Sequence, residues 1–444
     1  MMLRWTPRLS FSEERLRVWG VRAARLGARI GSTRSIMASA RLAHNRKWPR
    51  RNGGVWCVLR KRGHIEDVQS VVAHAPHFTL LSVNRTWQKA VTAGCVPFLP
   101  DDRYRSCRLE NRQSYERAVT VWQGVLQNMI QNHGVSLITT GNVGYGMEQP
   151  MMEAARREDL PFLVMHKECV KTPADVTGWL ETYRSGYLPS PAARILTYNE
   201  TEARCLIEGG VARREQIHVC GMPRMDAIHA RRVARAGTAP PRGVLFLSFG
   251  ADAGTIIGAN ANTWSELRQT SHEFIVKFAR EHPSIPVVIK GKSSEYEQAR
   301  LERLLQDIGP KPKNLMTSYA GDIRTLFENV CVVIGFNSTA LLESMASGLP
   351  TLVLSWAEAA DPKNAERQLY FTSGVTRAPD ENTLTSLIRR YIDFEEPIPG
   401  RLHPDVEQEL SRWVANPDGR ASIRAWEAIQ GCLHEYRACG EFVG

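Results

Sequence analysis

The chain has 444 residues with ordinary apolar and aromatic content, and no window of about 18 consecutive apolar residues, which excludes a transmembrane helix. Nine cysteines stand singly with no CxxC pair, which argues for reduced thiols in a cytosolic protein and against a disulfide framework or zinc ribbon. Of the net charge of +11, all belongs to residues 1–51, with 13 Lys/Arg against 2 acids; the remaining 393 residues carry 44 of each sign, so the body is no nucleic-acid surface.

The basic arm, residues 1–51, places Leu16, Val18, Trp19, Val21, Leu26 and Ile30 among many arginines. Three readings fit this composition. One is a basic amphipathic helix lying on an anionic membrane surface. Another is an organelle transit peptide, and the third is a solvated tail or a start assigned too early.

From Gly53 onward, short apolar runs alternate with longer helix-period segments. Strands are expected at Val55–Leu59, Phe78–Val83, Val96–Leu99, Val135–Thr140, Pro161–Met165, Arg194–Tyr198 and Gln216–Cys220, with the longest helix at Asn111–Asn132. The Gly/Pro-rich "RAGTAPPR" of Arg235–Arg242 reads as a linker. The alternation then restarts with strands at Val244–Phe249, Pro286–Lys290, Asn314–Thr317, Val330–Gly335 and Thr351–Leu354. Helices are expected at Trp264–Arg280, Glu295–Asp307, from Asp322, at Ser338–Ser347 and over the polar tail Pro404–Glu435.

Such alternation implies parallel sheets covered on both faces. The expected organisation is an arm (1–51), a first Rossmann-like domain (52–234), a linker (235–243), a second Rossmann-like domain (244–395) and C-terminal helices (396–444). Open α/β sheets bind ligands outside the carboxyl ends of their strands, so polar residues there are the candidates.

Six strand ends stand out. "GFNSTALLE" puts Asn337, Ser338 and Thr339 at a helix start, where free N–H groups and hydroxyls favour an anion. Glu343, one turn on from Thr339, is placed to accept ribose hydroxyls. The same residues also make an ordinary helix cap with a solvated glutamate. "MHKECV" sets His166, Lys167 and Glu168 directly after a strand; a histidine there suits a general base and a carboxylate suits its partner or substitute. "CGMPRMD" places Arg224 in a first helical turn, where a cation does not suit the helix dipole and a binding role does. Lys290, with Lys292 behind it, is placed to neutralise a leaving diphosphate.

Ser248, Gly250 and Gly254 follow the first strand after the linker; their spacing is neither GxGxxG nor a Walker A loop, which excludes a dinucleotide or ATP site of those types. Ser248 and Gly250 join the donor set by position. "TTGNVGYG" adds Asn142 and Tyr145. Asp101 and Asp102 read as a solvated pair. No ligand spacing for a tightly held metal is seen.

The order "ILTYNETEARCLIEGGVARREQIHVCGMPRMDAI", preceded by "GNVGYGMEQPMMEAARREDLPFLVMHKE" and followed by "VVIGFNSTALLESMASGLPTLV", resembles the GT-B glycosyltransferases of bacterial surface-carbohydrate (capsule and lipopolysaccharide) biosynthesis over roughly residues 135–355. The layout is also similar to CDP-glycerol glycerophosphotransferases and UDP-GlcNAc 2-epimerases. In the glycerophosphotransferases a glycine follows the catalytic histidine, where Lys167 follows His166 here. A further histidine often stands where this chain has Gly291-Lys292.

The resemblance implies an α/β GT-B fold, with two Rossmann-like doubly wound domains facing across a cleft. It also implies sugar transfer from a nucleotide-sugar donor to a surface-polysaccharide or lipid-linked acceptor, without metal or other cofactor. Donor contacts would come from Ser248, Gly250, Lys290, Asn337, Ser338, Thr339 and Glu343. Asn142, Lys167 and Arg224 would orient substrates, and His166 or Glu168 would deprotonate the acceptor. Alternatives on the same fold are CDP-alditol phosphotransfer, nucleotide-sugar 2-epimerisation and a catalytically silent scaffold. The expected location is cytoplasmic, peripheral at the inner face of the membrane through residues 1–51.

Overall fold

The computed structural model describes residues 11–44, 54–61, 63–96, 104–253, 263–394 and 396–441. The chain divides into two compact units. The first comprises Met1–Cys169, Leu180–Pro223 and Ser422–Gly444; the second comprises Val170–Trp179 and Arg224–Ala421. The Gly/Pro-rich stretch at Arg235–Arg242 therefore lies inside the second unit, behind the helix Met225–Ala234.

The first unit holds six strands: β1 Gly54–Arg60, β2 Phe78–Asn84, β3 Val135–Thr140, β4 Phe162–Met165, β5 Arg194–Thr197 and β6 Ile217–Val219. They form one parallel sheet in the order β2-β1-β3-β4-β5-β6. The second unit holds β7 Val244–Leu247, β8 Val287–Lys290, β9 Leu315–Ser318, β10 Val332–Gly335, β11 Thr351–Leu354 and β12 Thr376–Ala378. This sheet is also parallel, in the order β12-β11-β10-β7-β8-β9, the Rossmann order read from the far edge.

Parallel sheets need both faces covered, which is why these strands are nearly continuous apolar runs. β4, β7, β10 and β11 are buried at every position. The doubly wound α/β architecture anticipated from the alternation is present in both units. β12 has no apolar run to announce it and was not expected. The strand expected at Val96–Leu99 lies, beyond Val96, outside the described residues, as do Gly254, Asp101 and Asp102.

One reading of the amino-terminal arm needs correcting. Residues 11–44 are not a solvated tail: they form the helices Phe11–Arg29 and Thr33–His44, which pack on each other and on the helix Arg85–Cys95. The contact is built from small residues. A Cβ on Gly20 would come within 2.5 Å of the Ala43 nitrogen, and one on Gly94 within 2.6 Å of the Ala28 Cβ. Ala24, Ala28, Ile36, Ala40 and Ala43 are buried there.

At the other end the expected C-terminal helices are two, Pro404–Val414 and Ala421–Glu441, separated at Ala415, whose φ of 55° ends the first. The later helix sends Trp426, Ile429 and Cys432 into one cluster with Trp56, Phe78 and Leu137 of the first sheet.

Candidate functional site

In each sheet the strand order reverses beside its first strand: between β1 and β3 in the first unit and between β7 and β10 in the second. Side chains following those strands define the two places where such sheets bind ligands.

In the second unit, β10 runs into Phe336, whose ring packs on Trp264 (centroids 4.8 Å apart) and Phe249 (5.3 Å). Asn337 follows with φ of 44°, a left-handed conformation that asparagine tolerates better than most residues. Its side-chain oxygen accepts from the Leu369 N–H at 2.8 Å, while its amide nitrogen donates to the carbonyls of Arg367 (2.8 Å) and Ala253 (3.3 Å). Expected as a phosphate contact, the Asn337 amide instead ties the strand-end loop to its neighbours. The Ser338 hydroxyl accepts from the Ala340 N–H at 3.3 Å. Thr339 is exposed and makes no side-chain cap bond to the helix Ala340–Ala346 that it opens.

Glu343, one turn into that helix, is buried and pairs with Arg224, whose Nε lies 3.0 Å from its carboxylate. The two residues were read independently from the sequence, and the structure joins them. After β7, the Ser248 hydroxyl lies 2.9 Å from Nε2 of His272. Nδ1 of His272 donates to the Arg268 carbonyl at 2.6 Å, so Nε2 carries the lone pair and Ser248 donates to it. Burial pushes the His272 pKa down to about 3, so this imidazole is neutral at physiological pH. At the turn that follows, a Cβ on Gly250 would sit 2.3 Å from a carboxylate oxygen of the exposed Asp252, which would have to swing aside.

Lys290 ends β8 almost buried, and its ammonium donates to the carbonyls of Gly291 (2.8 Å) and Tyr319 (3.3 Å). Lys292 is exposed. The long helix Ser265–Glu281 has its N-terminus occupied from within: the Glu358 carboxylate accepts the Glu266 and Leu267 N–H groups, each at 2.7 Å.

In the first unit, His166 follows β4 but is fully buried. Its Nδ1 accepts from the Val143 N–H at 3.3 Å, and its Nε2 donates to Glu202 at 2.9 Å. Glu202, itself buried, also accepts from the Tyr183 hydroxyl at 2.9 Å. With both ring nitrogens engaged, no lone pair of His166 is open to an acceptor hydroxyl, contrary to the general-base expectation. Glu168 is partly exposed and paired with Lys167. Burial alone would raise its pKa, but Lys167 and, less, Lys61 outweigh that and hold it below the ordinary value. The Asn142 side chain accepts from the Gly144 N–H at 2.7 Å and shapes the loop after β3.

The structure adds residues that the sequence reading passed over. Arg60 pairs with Asn84 at the ends of β1 and β2, so Lys61 and Arg85 leave the sheet side by side. Both converge on Tyr145: Lys61 donates to its hydroxyl, and the Arg85 guanidinium carbon stacks 3.5 Å from its ring centroid. Arg85 also pairs with the buried Glu148. The Lys167 stem reaches the same place, 3.5 Å from where a Cβ on either Gly63 or Gly141 would stand. His64 packs there too, donating from Nδ1 to the Leu59 carbonyl at 3.1 Å. Applying the strand-end rule to β1 and β2 as well would have found Lys61 and Arg85.

Residues 262–357 match the family model described as "Putative glycosyltransferase (DUF6716)". That segment carries His272, Lys290 and the whole of Asn337–Glu343. No curated protein matches the chain significantly. Among solved structures, the chain is similar to the UDP-GlcNAc 2-epimerase of Neisseria meningitidis (13% identity, TM-score 0.47), covering 85% of this chain and 100% of that one. It is similar to the UDP-GlcNAc 2-epimerase of Methanocaldococcus jannaschii (10%, 0.47; 85% and 99%) and to the wall teichoic acid polymerase TagF (9%, 0.49; 96% and 99%). Among the described residues no helix is long and apolar enough to cross a membrane, and no group of three or more His, Cys, Asp or Glu is arranged to hold a metal ion.

Proposed function

We propose that the protein is a metal-independent GT-B glycosyltransferase that moves a sugar from a nucleotide-sugar donor to a carbohydrate or lipid-linked acceptor of surface-polysaccharide synthesis. The observation that carries this reading is the coincidence of the glycosyltransferase family match with the β7/β10 switch point, where Ser248, Gly250 and Asn337–Glu343 collect.

The donor binds the second unit. The helix Ala340–Ala346 is short, so its dipole is small; the hydroxyls of Ser338 and Thr339 and nearby backbone N–H groups take the phosphates. Asn337 holds the loop in shape for them. Glu343 receives the ribose, oriented by Arg224 through their ion pair. Ser248, fixed by His272, presents its oxygen lone pairs beside the turn at Gly250. Lys290 lends positive charge to the leaving diphosphate. In the first unit, Glu168 takes the proton of the acceptor hydroxyl while Lys167 and Asn142 orient the acceptor. His166 acts as a positioning residue that locks the β4 end through Glu202.

The helix Phe11–Arg29 attaches the enzyme to the anionic inner face of a membrane. Its small residues face the protein, which leaves Leu16, Trp19, Leu26 and Ile30 on one outward stripe, with Trp19 64% and Ile30 68% exposed. Arg15, Arg22 and Arg29, spaced seven apart, run along its edge. Apolar side chains beside a row of cations match an anionic lipid interface.

A thermal-shift series with UDP, CDP, CMP, GDP and ADP tests the donor site. A ligand at about a hundred times its dissociation constant stabilises by about 2.7 kcal/mol, and Glu343→Gln abolishes that shift. Nucleotide release that depends on an added acceptor supports sugar transfer; release without one points to epimerisation or hydrolysis. No nucleotide shifting the melt overturns the donor assignment.

A further inference from the structure

The β1/β3 switch point holds more positive charge than its fold requires. Lys61 and Arg85 arrive from the ends of β1 and β2 and meet at the buried Tyr145 ring, 4.3 Å and 3.5 Å from its centroid, while Lys167, beyond β4, runs past Gly63 and Gly141 close enough to repel the Lys61 charge. Two carboxylates answer them, Glu148 to Arg85 and Glu168 to Lys167, which leaves these five described residues with an excess of one positive charge.

Two buried polar atoms point to a missing partner. Nη2 of Arg85 is buried without a hydrogen bond, and so is Nε2 of the fully buried His64. An orphaned guanidinium N–H costs the full desolvation of a charged donor unless an anion meets it. Glycine at 141 allows this closeness: a Cβ there would lie 2.7 Å from the His64 Cβ.

We infer that Lys61, Arg85, Lys167 and the Tyr145 hydroxyl form an oxyanion site for a phosphoryl group carried by the acceptor. Three cationic donors from three directions, with a phenol beside them, suit a tetrahedral group with several oxygens better than a planar carboxylate. The excess charge of one complements the single charge of a phosphodiester. The inference rests on the transferase reading, which it deepens by giving the acceptor its chemical class: a phosphate-bearing sugar or a phosphate-linked lipid.

The charge on Lys61 makes the site sensitive to pH. Burial, then the nearby Lys167 and, less, Arg85, bring its pKa down to about 8, although Glu168 and Glu148 act the other way. Tyr145 and His64 are the remaining titratable groups of the cluster. A bound anion stabilises the protonated amine, so affinity falls as pH rises above about 8.

The test is calorimetric titration of the full chain with dimethyl phosphate, glycerol phosphate and acetate, with and without the nucleoside diphosphate that stabilises the protein best. The expected result is binding of a phosphate ester that survives nucleotide saturation, weakens at least about tenfold in Lys61→Gln and Arg85→Gln, and declines above pH 8. Lys61→Arg, which keeps the charge, retains binding and loses that decline. Lys61→Gln folds without leaving a buried carboxylate unpaired, so it carries the test if Arg85→Gln is unstable. Dimethyl phosphate stronger than glycerol phosphate indicates a phosphodiester acceptor, and the reverse a sugar phosphate. Phosphate binding indifferent to Lys61→Gln, binding abolished by nucleotide, or acetate binding more tightly than either phosphate overturns the inference. Nucleotide binding unchanged in Lys61→Gln shows that such a failure leaves the donor reading standing.

Discussion

The two switch points differ in how their polar groups are spent. In the second unit the asparagine amide, the serine hydroxyl, the lysine ammonium and the buried carboxylate all have partners within the protein. In the first, Lys61 and Arg85 crowd one aromatic ring with Lys167 near them, and the guanidinium keeps a buried N–H unmatched. The first arrangement presents charge, whereas the second presents shape. A site whose groups hold one another is rigid before its ligand arrives, which suits recognition of one fixed moiety by backbone and hydroxyls. A site with excess charge draws its ligand through the field and becomes neutral only on binding.

Breaking the Arg224–Glu343 pair strikes the second unit hardest. Arg224→Ala leaves a buried carboxylate uncompensated and is expected to cost about 3–5 kcal/mol in denaturant unfolding. Glu343→Gln, which keeps the volume, costs less stability while still losing nucleotide binding. Should Arg224→Ala prove neutral, the pair is not holding the donor loop.

A comparable blow to the first unit is Gly141→Ala. Its methyl group collides with His64, and a loss of about 1–3 kcal/mol is expected by the same measurement.

Acid should weaken both units together. The buried His64 and His272 have pKa values brought down to about 4 and about 3, chiefly by desolvation. Below about pH 6.5 the unfolded chain takes up protons that the folded one refuses, so their contribution to stability declines from there down to those values. His64→Gln flattens the profile for the first unit and His272→Gln for the second. An unchanged acid limb in both variants would show that these rings do not govern it.

The smallest effect on stability comes from the outward stripe. Trp19→Ser changes unfolding by no more than about 0.5 kcal/mol. It nonetheless lowers partition onto anionic vesicles, as does added salt, while neutral vesicles bind neither form. Equal vesicle binding by wild type and variant would remove the stripe from membrane attachment.

Where the sequence was legible, one property did the work: a strand buried on both faces must be apolar throughout. β11 was placed at both ends, and β10 at its carboxyl end, from their apolar runs. β12, three residues reading Thr-Arg-Ala at a sheet edge, lacks that property. The hairpin of residues 11–44 misled because its packing is done by glycine and alanine, which leave almost no hydropathy pattern, while its large apolar residues point outward. Lys61 and Arg85 stand far apart in sequence and meet only through the register that pairs Arg60 with Asn84. His166 was visible as a strand-end histidine, but its enclosure by Glu202 and Val143 depends on a helix and a loop with no local mark in "MHKE". Likewise, nothing near Glu343 announces Arg224.

The helix Ala421–Glu441 has a consequence for how the chain is made. Its Trp426, Ile429 and Cys432 complete a core whose other walls, Trp56, Phe78 and Leu137, were synthesised some three hundred residues earlier. The amino-terminal unit must therefore wait for the carboxyl-terminal helix, holding an apolar face open while the whole second unit emerges and folds. That core is complete only when both the early strands and the late helix are present, with the whole second unit lying between them in the sequence.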